Sequence, residues 1–410
     1  MTTVTFGVAC APYQAIRTLH QLADDNAPNP ECAEEIKKST YVDDAHNGAD
    51  TKKQVRQKIH DVRTTFAAGG MHLTKFHAND QEVLSEVPIE QQLHYIAGTD
   101  PKLPVKILGH LYDPQTDCFK IQVKAPSKIT PTKRGLLSFT AGIYDTLGWI
   151  LPFVMLLRML IQEQWIKKAT WDEKIDEAFE TQFKKMIEQL PLLQSISIPR
   201  WIGCVSGQTV DIIGFADASF KGYCAVVFSR IKTGTAHLIR LLAAKGRVTP
   251  LKTKANKENP NITIPKLELQ ALVLLAQLLK EIVNNFTNIL VTLTSYTDSE
   301  IALAWIRSNK EHDVKFIRQR VAKVRKVIIP SALHYVKSEE NPADVGSRGA
   351  TPAELAEHKL WFQGPKWLQE DSLPSTPFIT SPNICITIDE EIFQPIEAFQ
   401  SLKKGIKVLA

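Results

Sequence analysis

Two strands that each end in an aspartate are predicted by the alternation of apolar and polar residues. In TVDIIGFAD, every second residue from Asp211 to Asp217 lies on one face, which is the period of a strand. The run NILVTLTSYTD has the same period between Leu290 and Asp298. Asp217 and Asp298 are therefore each expected at the carboxyl end of a largely apolar strand.

A helix is predicted between these two strands. In IPKLELQALVLLAQLLKEIV, Pro265 suits a first helical turn, and apolar residues recur at helical spacing. Glu268 lies on a face of this helix that continues through Leu272, Leu275 and Leu279. An unpaired charge in such apolar surroundings is costly, and a bound metal ion would remove that cost.

A fourth acid, Asp344, follows a predicted turn in NPADVGSRG. Taken singly, the acids have simpler interpretations: Asp217 and Asp298 as turn residues, and Glu268 as a first-turn acid favoured by the helix dipole. Together they occupy strand, helix, strand and pre-helix contexts in this order. That order predicts a cluster of carboxylates, which can neutralise two divalent cations during phosphodiester cleavage.

The first part of the chain carries a different acidic pair. Asp43 and Asp44 are adjacent in STYVDDAHNG. The following run, TKKQVRQKIHDVRTTFAAGG, predicts an amphipathic helix with Val55 and Phe66 on its apolar face and a glycine pair at its end.

These contexts together resemble the polyprotein of BEL/Pao-type LTR retrotransposons over most of the chain. VTFGVACAPYQAIRTLHQLA resembles the part of a reverse-transcriptase palm beneath the incoming nucleotide, and Tyr-Val-Asp-Asp resembles the polymerase hairpin that presents two aspartates. TKRGLLSFTAGIYDTLGWILPF resembles the segment between polymerase and ribonuclease H, with Thr146 where the family usually has proline. The four acids resemble the metal centre of the ribonuclease H.

The resemblance implies a fold of the α+β and α/β classes in four segments. These are the C-terminal part of a palm (1–125), a helical connection (126–200), a ribonuclease H-like domain (201–350), and a short helix with a linker toward an absent integrase (351–410). The third segment is expected to hold a mixed five-stranded sheet flanked by helices.

The resemblance also implies an activity, which is hydrolysis of the RNA strand of an RNA/DNA hybrid with two Mg²⁺ or Mn²⁺ ions. It places Asp217 on both ions, Glu268 and Asp298 on one, and Asp344 on the other. The alternative is a catalytically inactive nucleic-acid-binding remnant of a retrotransposon, which would bind the hybrid without cutting it.

The polymerase site is expected to be incomplete. In the family, a third carboxylate and the fingers residues precede the segment at which this sequence begins, so Asp43 and Asp44 would form a partial metal site. We expect no independent DNA synthesis from such a site.

Composition limits the number of cores, the membrane association and the cellular location expected for the chain. At 410 residues and 44% hydrophobic, it can bury two or three cores. The apolar run LGWILPFVMLLRMLI is interrupted by Pro152 and Arg158, which favours a buried helix over a membrane span. The six cysteines are widely spaced with no CxxC pair, which argues against structural zinc and disulfides. We expect a reducing location, in a cytoplasmic virus-like particle or the nucleus, with other polyprotein segments as partners and no membrane.

The net charge of +5 is modest, but basic residues are grouped in KGRVTPLKTKANKENPN and DVKFIRQRVAKVRKV. Nucleic-acid backbones are bound mainly through such charge. The first group is interpreted as a loop before the Glu268 helix, while the second lies on a helix with its own apolar stripe, for which a solvated face is an equal alternative. The candidate phosphate contacts are Lys245, Arg247, Lys252, Lys254 and Arg318.

Overall fold

The architecture is taken from a computed structural model that describes residues 7–41, 44–97, 100, 103–128, 130–205, 207–251, 263–286, 289–375 and 406–409. Contacts between residues divide the chain into two units. Unit 1 comprises Met1–Phe119, Pro199–Ser206 and Glu397–Ala410, and unit 2 comprises Lys120–Ile198 and Gly207–Ile396.

The described residues form helices and strands in the following order along the chain. The helices are α1 (Ala11–Asn26), α2 (Pro30–Ser39), α3 (Lys52–Ala68), α4 (Leu93–Ala97), α5 (Lys133–Ala141), α6 (Leu151–Ile166), α7 (Glu177–Gln189), α8 (Ile264–Val283), α9 (Glu300–Arg307), α10 (Lys315–Arg325), α11 (Ala343–Arg348), α12 (Pro352–Ala356) and α13 (Lys359–Gln363). The strands are β1 (Thr40–Tyr41), β2 (Asp44–Ala49), β3 (His77–Ala78), β4 (Val105–Ile107), β5 (His110–Asp113), β6 (Cys118–Lys120), β7 (Ser197–Pro199), β8 (Thr209–Ala218), β9 (Gly222–Thr233), β10 (Ala236–Val248), β11 (Leu290–Thr297), β12 (Leu333–Tyr335) and β13 (Ile406–Leu409).

Unit 1 is built from helices α1 to α3 and short antiparallel strands. The predicted helix after the acidic pair is α3; the Thr51 hydroxyl accepts from the backbone N–H of Gln54 at its start, and Val55 and Phe66 are buried. β1 and β2 pair antiparallel with Tyr41 opposite Asp44, and β13 lies between β2 and β3. The helix and the flanking strands of the predicted hairpin are thus present.

A buried arginine ties residues 199–206 to unit 1. The Arg200 guanidinium is fully buried and donates to both carboxylate oxygens of Asp117, at 2.6 and 2.8 Å. The Tyr112 hydroxyl donates to the same carboxylate at 2.7 Å. Removing either partner would leave a buried charge unpaired, which is strongly destabilising. The pair therefore holds the chain around Arg200 against Asp117.

Unit 2 contains the predicted mixed five-stranded sheet, in the order β10-β9-β8-β11-β12. β10, β9 and β8 pair antiparallel, whereas β8, β11 and β12 pair parallel. Helix α8 packs on one face, where a Cβ on Gly214 would lie 2.6 Å from the Leu275 side chain. Helix α6 packs on the other, where a Cβ on Gly222 would lie 2.6 Å from the Met155 methyl. The predicted fold class is confirmed.

The apolar run that resembled a membrane span is the buried helix α6, as predicted. Just before it, Trp149 is fully buried and its indole N–H donates to the carbonyl of Leu242 in β10 at 3.2 Å. Within the part of the chain that the structure describes, no helix has the length and apolar character needed to cross a bilayer.

Residues after 350 also pack on the sheet. Trp361 is fully buried, and its indole N–H donates to the Trp149 carbonyl at 2.8 Å. The ring of Trp367 lies 4.9 Å from that of Tyr296 and 5.9 Å from that of Phe215, between ring centroids. The core of unit 2 therefore draws on residues outside 201–350; the segment boundaries at 125, 200 and 350 stay predictions.

A single arginine binds the chain around Leu368, near the end of the segment after residue 350 that packs on the sheet. Arg230 in β9 is buried, pairs with Asp211 in β8 at 2.7 Å, and donates through Nε to the carbonyl of Leu368 at 2.9 Å. Nearby, the Tyr296 hydroxyl donates to the carbonyl of Pro374 at 2.9 Å. These polar contacts fix a chain segment that has little regular structure of its own.

Replacing Trp361 by alanine is expected to destabilise unit 2 by about 3–5 kcal/mol, because the substitution removes a fully buried aromatic side chain and leaves a cavity. Chemical denaturation followed by circular dichroism measures the change. Phe220→Ala is the matched control, since the Phe220 side chain is 77% exposed. Equal stability of the Trp361→Ala and wild-type proteins would show that residues after 350 are dispensable, and would favour the predicted 201–350 boundary.

Candidate active site

The parallel pairing of β8 and β11 brings two of the predicted acids together. Thr297 lies opposite Ala216, so the residues that follow them, Asp298 and Asp217, lie next to each other at the carboxyl ends of the two strands. Asp217 is only 5% exposed, and Asp298 is half-buried.

A buried asparagine fixes the turn that leads to the acid of α11. The Asn341 side-chain amide donates to the carbonyl of Ala216 at 3.1 Å and to the Asp298 carboxylate at 3.4 Å. Its side-chain oxygen accepts from the N–H of Ala343 at 3.1 Å. Because one residue is bonded to β8, to Asp298 and to the first residue of α11, the position of that helix is set by the two strands.

Helix α11 contributes Asp344 and the hydroxyl that contacts Asp217. The Asp344 carboxylate pairs with Arg348, one turn later, at 2.7 Å. The Ser347 hydroxyl donates to the Asp217 carboxylate. The helix approaches β9 so closely that a Cβ on Gly346 would clash with the Cys224 side chain. A glycine is therefore required at this position for the helix to reach Asp217.

The fourth acid, Glu268, lies in the first turns of α8 and is half-buried. Its carboxylate accepts a hydrogen bond from the hydroxyl of Ser299, the residue after Asp298. The same hydroxyl caps α9 by accepting from the N–H of Ala302 at 3.1 Å. Ser299 thus links α8 to the end of β11.

Burial and mutual repulsion raise the pKa of three of the four carboxyl groups. Burial, followed by the negative charge of Asp298, raises the pKa of Asp217 to about 7. Burial also raises the pKa of Glu268 and of Asp344, and Asp298 adds to both shifts. The four acids therefore share one electrostatic environment, in which a cation would be strongly favoured.

The donor set fits a divalent cation in chemistry and charge, since carboxylate oxygens are the ligands that Mg²⁺ and Mn²⁺ prefer. Within residues 263–286, 289–375 and the other described ranges, no group of three or more His, Cys, Asp or Glu side chains stands at metal-ligand spacing. The carboxylates instead accept hydrogen bonds from serines or pair with Arg348. Binding a cation would require them to exchange these contacts for metal bonds.

One further candidate residue lies in the other unit of the chain, and three lie outside the described residues. Asp44 begins β2 in unit 1 and is exposed. Asp43, Lys252 and Lys254 lie outside the described residues, so their proposed roles stay predictions.

The basic residues before α8 were predicted to form a loop, and for two of them this was wrong. Lys245 and Arg247 lie in β10, because the pairing with β9 continues to Val248. The Lys245 ammonium pairs with Glu281, about 20 Å along the helix axis from Glu268. Arg247 is exposed, and Arg318 is exposed on α10 with Glu311 at 3.3 Å.

Sequence reasoning missed the polar residues that hold the acids. The Ser338 hydroxyl donates to the Asp298 carboxylate at 2.6 Å, in addition to the contacts of Ser299, Ser347 and Asn341. Spacing offered a signal for two of them: Ser347 follows Asp344 by three residues, which places both on one helix face, and Ser299 directly follows Asp298. Nothing in the sequence pointed to Ser338.

The family comparison covers the chain from α5 to the end of β11. Residues 132–299 match the family described as the Pao retrotransposon-like RNaseH-like domain. This part of the chain is similar to that family. The match includes Asp217, Glu268 and Asp298, and it confirms the retrotransposon resemblance for this segment. No curated protein matches the sequence.

Two solved structures are among those to which the chain is similar. The foamy viral protease-reverse transcriptase dRH in complex with double-stranded DNA aligns with 80% of this chain and 49% of its own, at 13% identity and a TM-score of 0.43. The RNase H1 of Halobacterium salinarum aligns with 36% of this chain and 96% of its own, at 12% identity and a TM-score of 0.22. The chain thus spans about half the length of the foamy viral protein.

The raised pKa of Asp217 predicts that the metal-free protein loses stability as the pH rises. Between its ordinary value of 3.8 and the raised value of about 7, the folded state holds a proton that the unfolded state has released. The resulting stabilisation is complete below the lower value and is lost through the upper one. Thermal unfolding in EDTA should therefore show a falling Tm from about pH 4 to pH 8.

Asp217→Asn should make this fall smaller and raise the Tm at pH 8, because the amide carries no charge to bury. Asp371→Asn is the control, since Asp371 is an exposed carboxylate of the same unit paired with Lys232. If the Asp217→Asn protein had the same dependence of Tm on pH as the wild type, the loss of stability could not be assigned to this acid.

Proposed function

We propose that unit 2 is a ribonuclease H-type endonuclease that hydrolyses the RNA strand of RNA/DNA hybrids with two Mg²⁺ or Mn²⁺ ions. The observation that carries this proposal is the convergence of four carboxyl groups from two parallel strands and two helices, three of them with a raised pKa. A structural cluster of four acids with repelling charges would only cost stability, whereas a site that receives cations needs that charge.

Asp217, Glu268, Asp298 and Asp344 are the residues that would hold the ions. Divalent cations, when bound there, supply the Lewis acidity that activates a water molecule and stabilises the leaving oxygen. The protein itself orients the donors: Ser347 and Asn341 hold Asp217 and Asp298 at the strand ends, and the burial of Asp217 keeps bulk water from one side of the site.

The hybrid would be recognised by its shape, its phosphates and the 2′-hydroxyls of the RNA strand. Arg247, which is exposed near the end of β10, would supply one phosphate contact. Arg318 on α10 would add charge at greater distance. Such contacts position the duplex and do not read its sequence.

A second candidate is a nucleic-acid-binding domain without catalysis. It is favoured by one observation, which is that the described carboxylates are engaged by serines and Arg348 and do not stand at ligand spacing. Under this alternative the hybrid binds and stays intact with either metal. A cleavage assay on the hybrid therefore distinguishes the nuclease from the binding domain without catalysis.

Asp217→Asn should lower the rate of hybrid cleavage by at least about a hundredfold while hybrid affinity changes little, because the most buried carboxylate of the cluster is lost and the basic contacts remain. The measurement uses a hybrid with a labelled RNA strand and Mg²⁺ or Mn²⁺, with gel analysis of the products. Affinity is measured in parallel by fluorescence anisotropy in EDTA.

Asp371→Asn is the matched control and should cut at the wild-type rate, because this exposed carboxylate pairs with Lys232, near the end of β9 away from Cys224, the partner of Asp217. If the wild-type protein leaves the hybrid uncut with Mg²⁺ and also with Mn²⁺, the nuclease proposal is wrong and the binding-only alternative is favoured. Wild-type cleavage by Asp217→Asn would show that the carboxylate cluster is not the active site.

A further inference from the structure

A phenylalanine stands in solvent at the rim of the carboxylate cluster. Phe220 lies three residues after Asp217, in the turn between β8 and β9, and its side chain is 77% exposed. No other large hydrophobic residue among the described ranges is as exposed. Because transfer of such a ring from water to an apolar environment is favourable, its position in water is not explained by folding.

The turn that carries Phe220 is held rigidly. The N–H of Ser219 donates to the carbonyl of Gly222 at 2.8 Å, and the Ser219 hydroxyl accepts from the N–H groups of Lys221 and Gly222 at 3.2 Å each. The carbonyl of Lys221 accepts from the N–H of Thr249 in the segment after β10 at 2.9 Å. The phenylalanine is therefore presented from a fixed backbone.

The turn is also bonded to the residue that holds Asp217. The Ser219 hydroxyl donates to the carbonyl of Ser347 at 2.9 Å, while the Ser347 hydroxyl donates to the Asp217 carboxylate. The position of Phe220 is thus set relative to the acids by two consecutive hydrogen bonds. A molecule bound at the carboxylates would therefore lie near this turn.

The chemistry of the turn suits a nucleic-acid duplex. An apolar ring cannot bind a phosphate, but it can pack against sugars and base edges in a wide, shallow minor groove. The next residue, Lys221, is exposed and carries the positive charge that a phosphate requires. An apolar contact and a charged contact therefore stand side by side.

We propose that Phe220 is a positioning residue that packs into the minor groove of a bound RNA/DNA hybrid, with Lys221 on an adjacent phosphate. The inference rests on the proposed function, because it takes the hybrid to lie across the four acids. The ring fixes where along the duplex the acids meet the RNA strand, and the groove width lets it favour the hybrid over double-stranded DNA.

The test compares hybrid affinity and cleavage for single variants of the full chain. Phe220→Ala should weaken hybrid binding about tenfold, as expected for loss of an aromatic contact to nucleic acid, without changing the salt dependence of the affinity. Phe220→Trp should restore the affinity. Lys221→Ala should instead lower the slope of log affinity against log salt by about one.

The matched control is Leu290→Ala, which removes a 70% exposed apolar side chain at the opposite end of β11 from Asp298. Fluorescence anisotropy in EDTA measures binding to the hybrid and to double-stranded DNA of the same sequence. Wild-type and Leu290→Ala proteins should prefer the hybrid equally, and Phe220→Ala should lose most of that preference. The same variant should shift or broaden the cleavage positions.

Wild-type hybrid affinity in Phe220→Ala overturns the inference, as does an equal loss of affinity for both duplexes, which would indicate a general structural effect. A wild-type protein that binds the hybrid without cutting it overturns the nuclease proposal and leaves the role of Phe220 to be decided by the binding data. Absence of hybrid binding by the wild-type protein overturns both.

Discussion

The parallel register between β8 and β11 is the constraint on which the rest of the site depends. Ala216 lies opposite Thr297, so Asp217 and Asp298 come next on two adjacent strands. A slip of one residue would turn every side chain of one strand to the other face and separate the acids. Asn341 reinforces the register because it donates to both Ala216 and Asp298.

Electrostatic repulsion within the cluster is balanced by groups that are not themselves acidic. Three serine hydroxyls and the Asn341 amide donate to the carboxylates, and Arg348 pairs with Asp344. Even so, the pKa of Asp217 is raised to about 7. The acids therefore reduce the stability of the metal-free protein, and the favourable free energy must come from the apolar core on both faces of the sheet.

That core extends beyond the part of the chain that bears the acids. Trp149 and Trp361 are fully buried and hydrogen-bonded to each other, and Arg230 in β9 donates to the carbonyl of Leu368. Helix α6 and the segment after residue 350 thus support the strands that carry Asp217. The segment 126–200, which was predicted from resemblance to be a helical connection, thus contributes helix α6 and Trp149 to the core of unit 2.

The sequence by itself determined the elements and the acids. Period-two alternation predicted β8 and β11, helical spacing predicted α3 and α8, and an interrupted apolar run predicted α6. The order of four acidic contexts predicted the cluster that these elements bring together. These are local patterns, because a side chain's face within an element depends only on its neighbours in the chain. Only the tertiary structure decided which hydroxyls contact the acids, and that Lys245 lies in β10 and pairs with Glu281 of α8. It also decided that residues after 350 complete the core, and that Phe220 faces solvent. Each of these depends on residues far apart in sequence, whose proximity is set by strand register and packing and leaves no periodic signal in the chain.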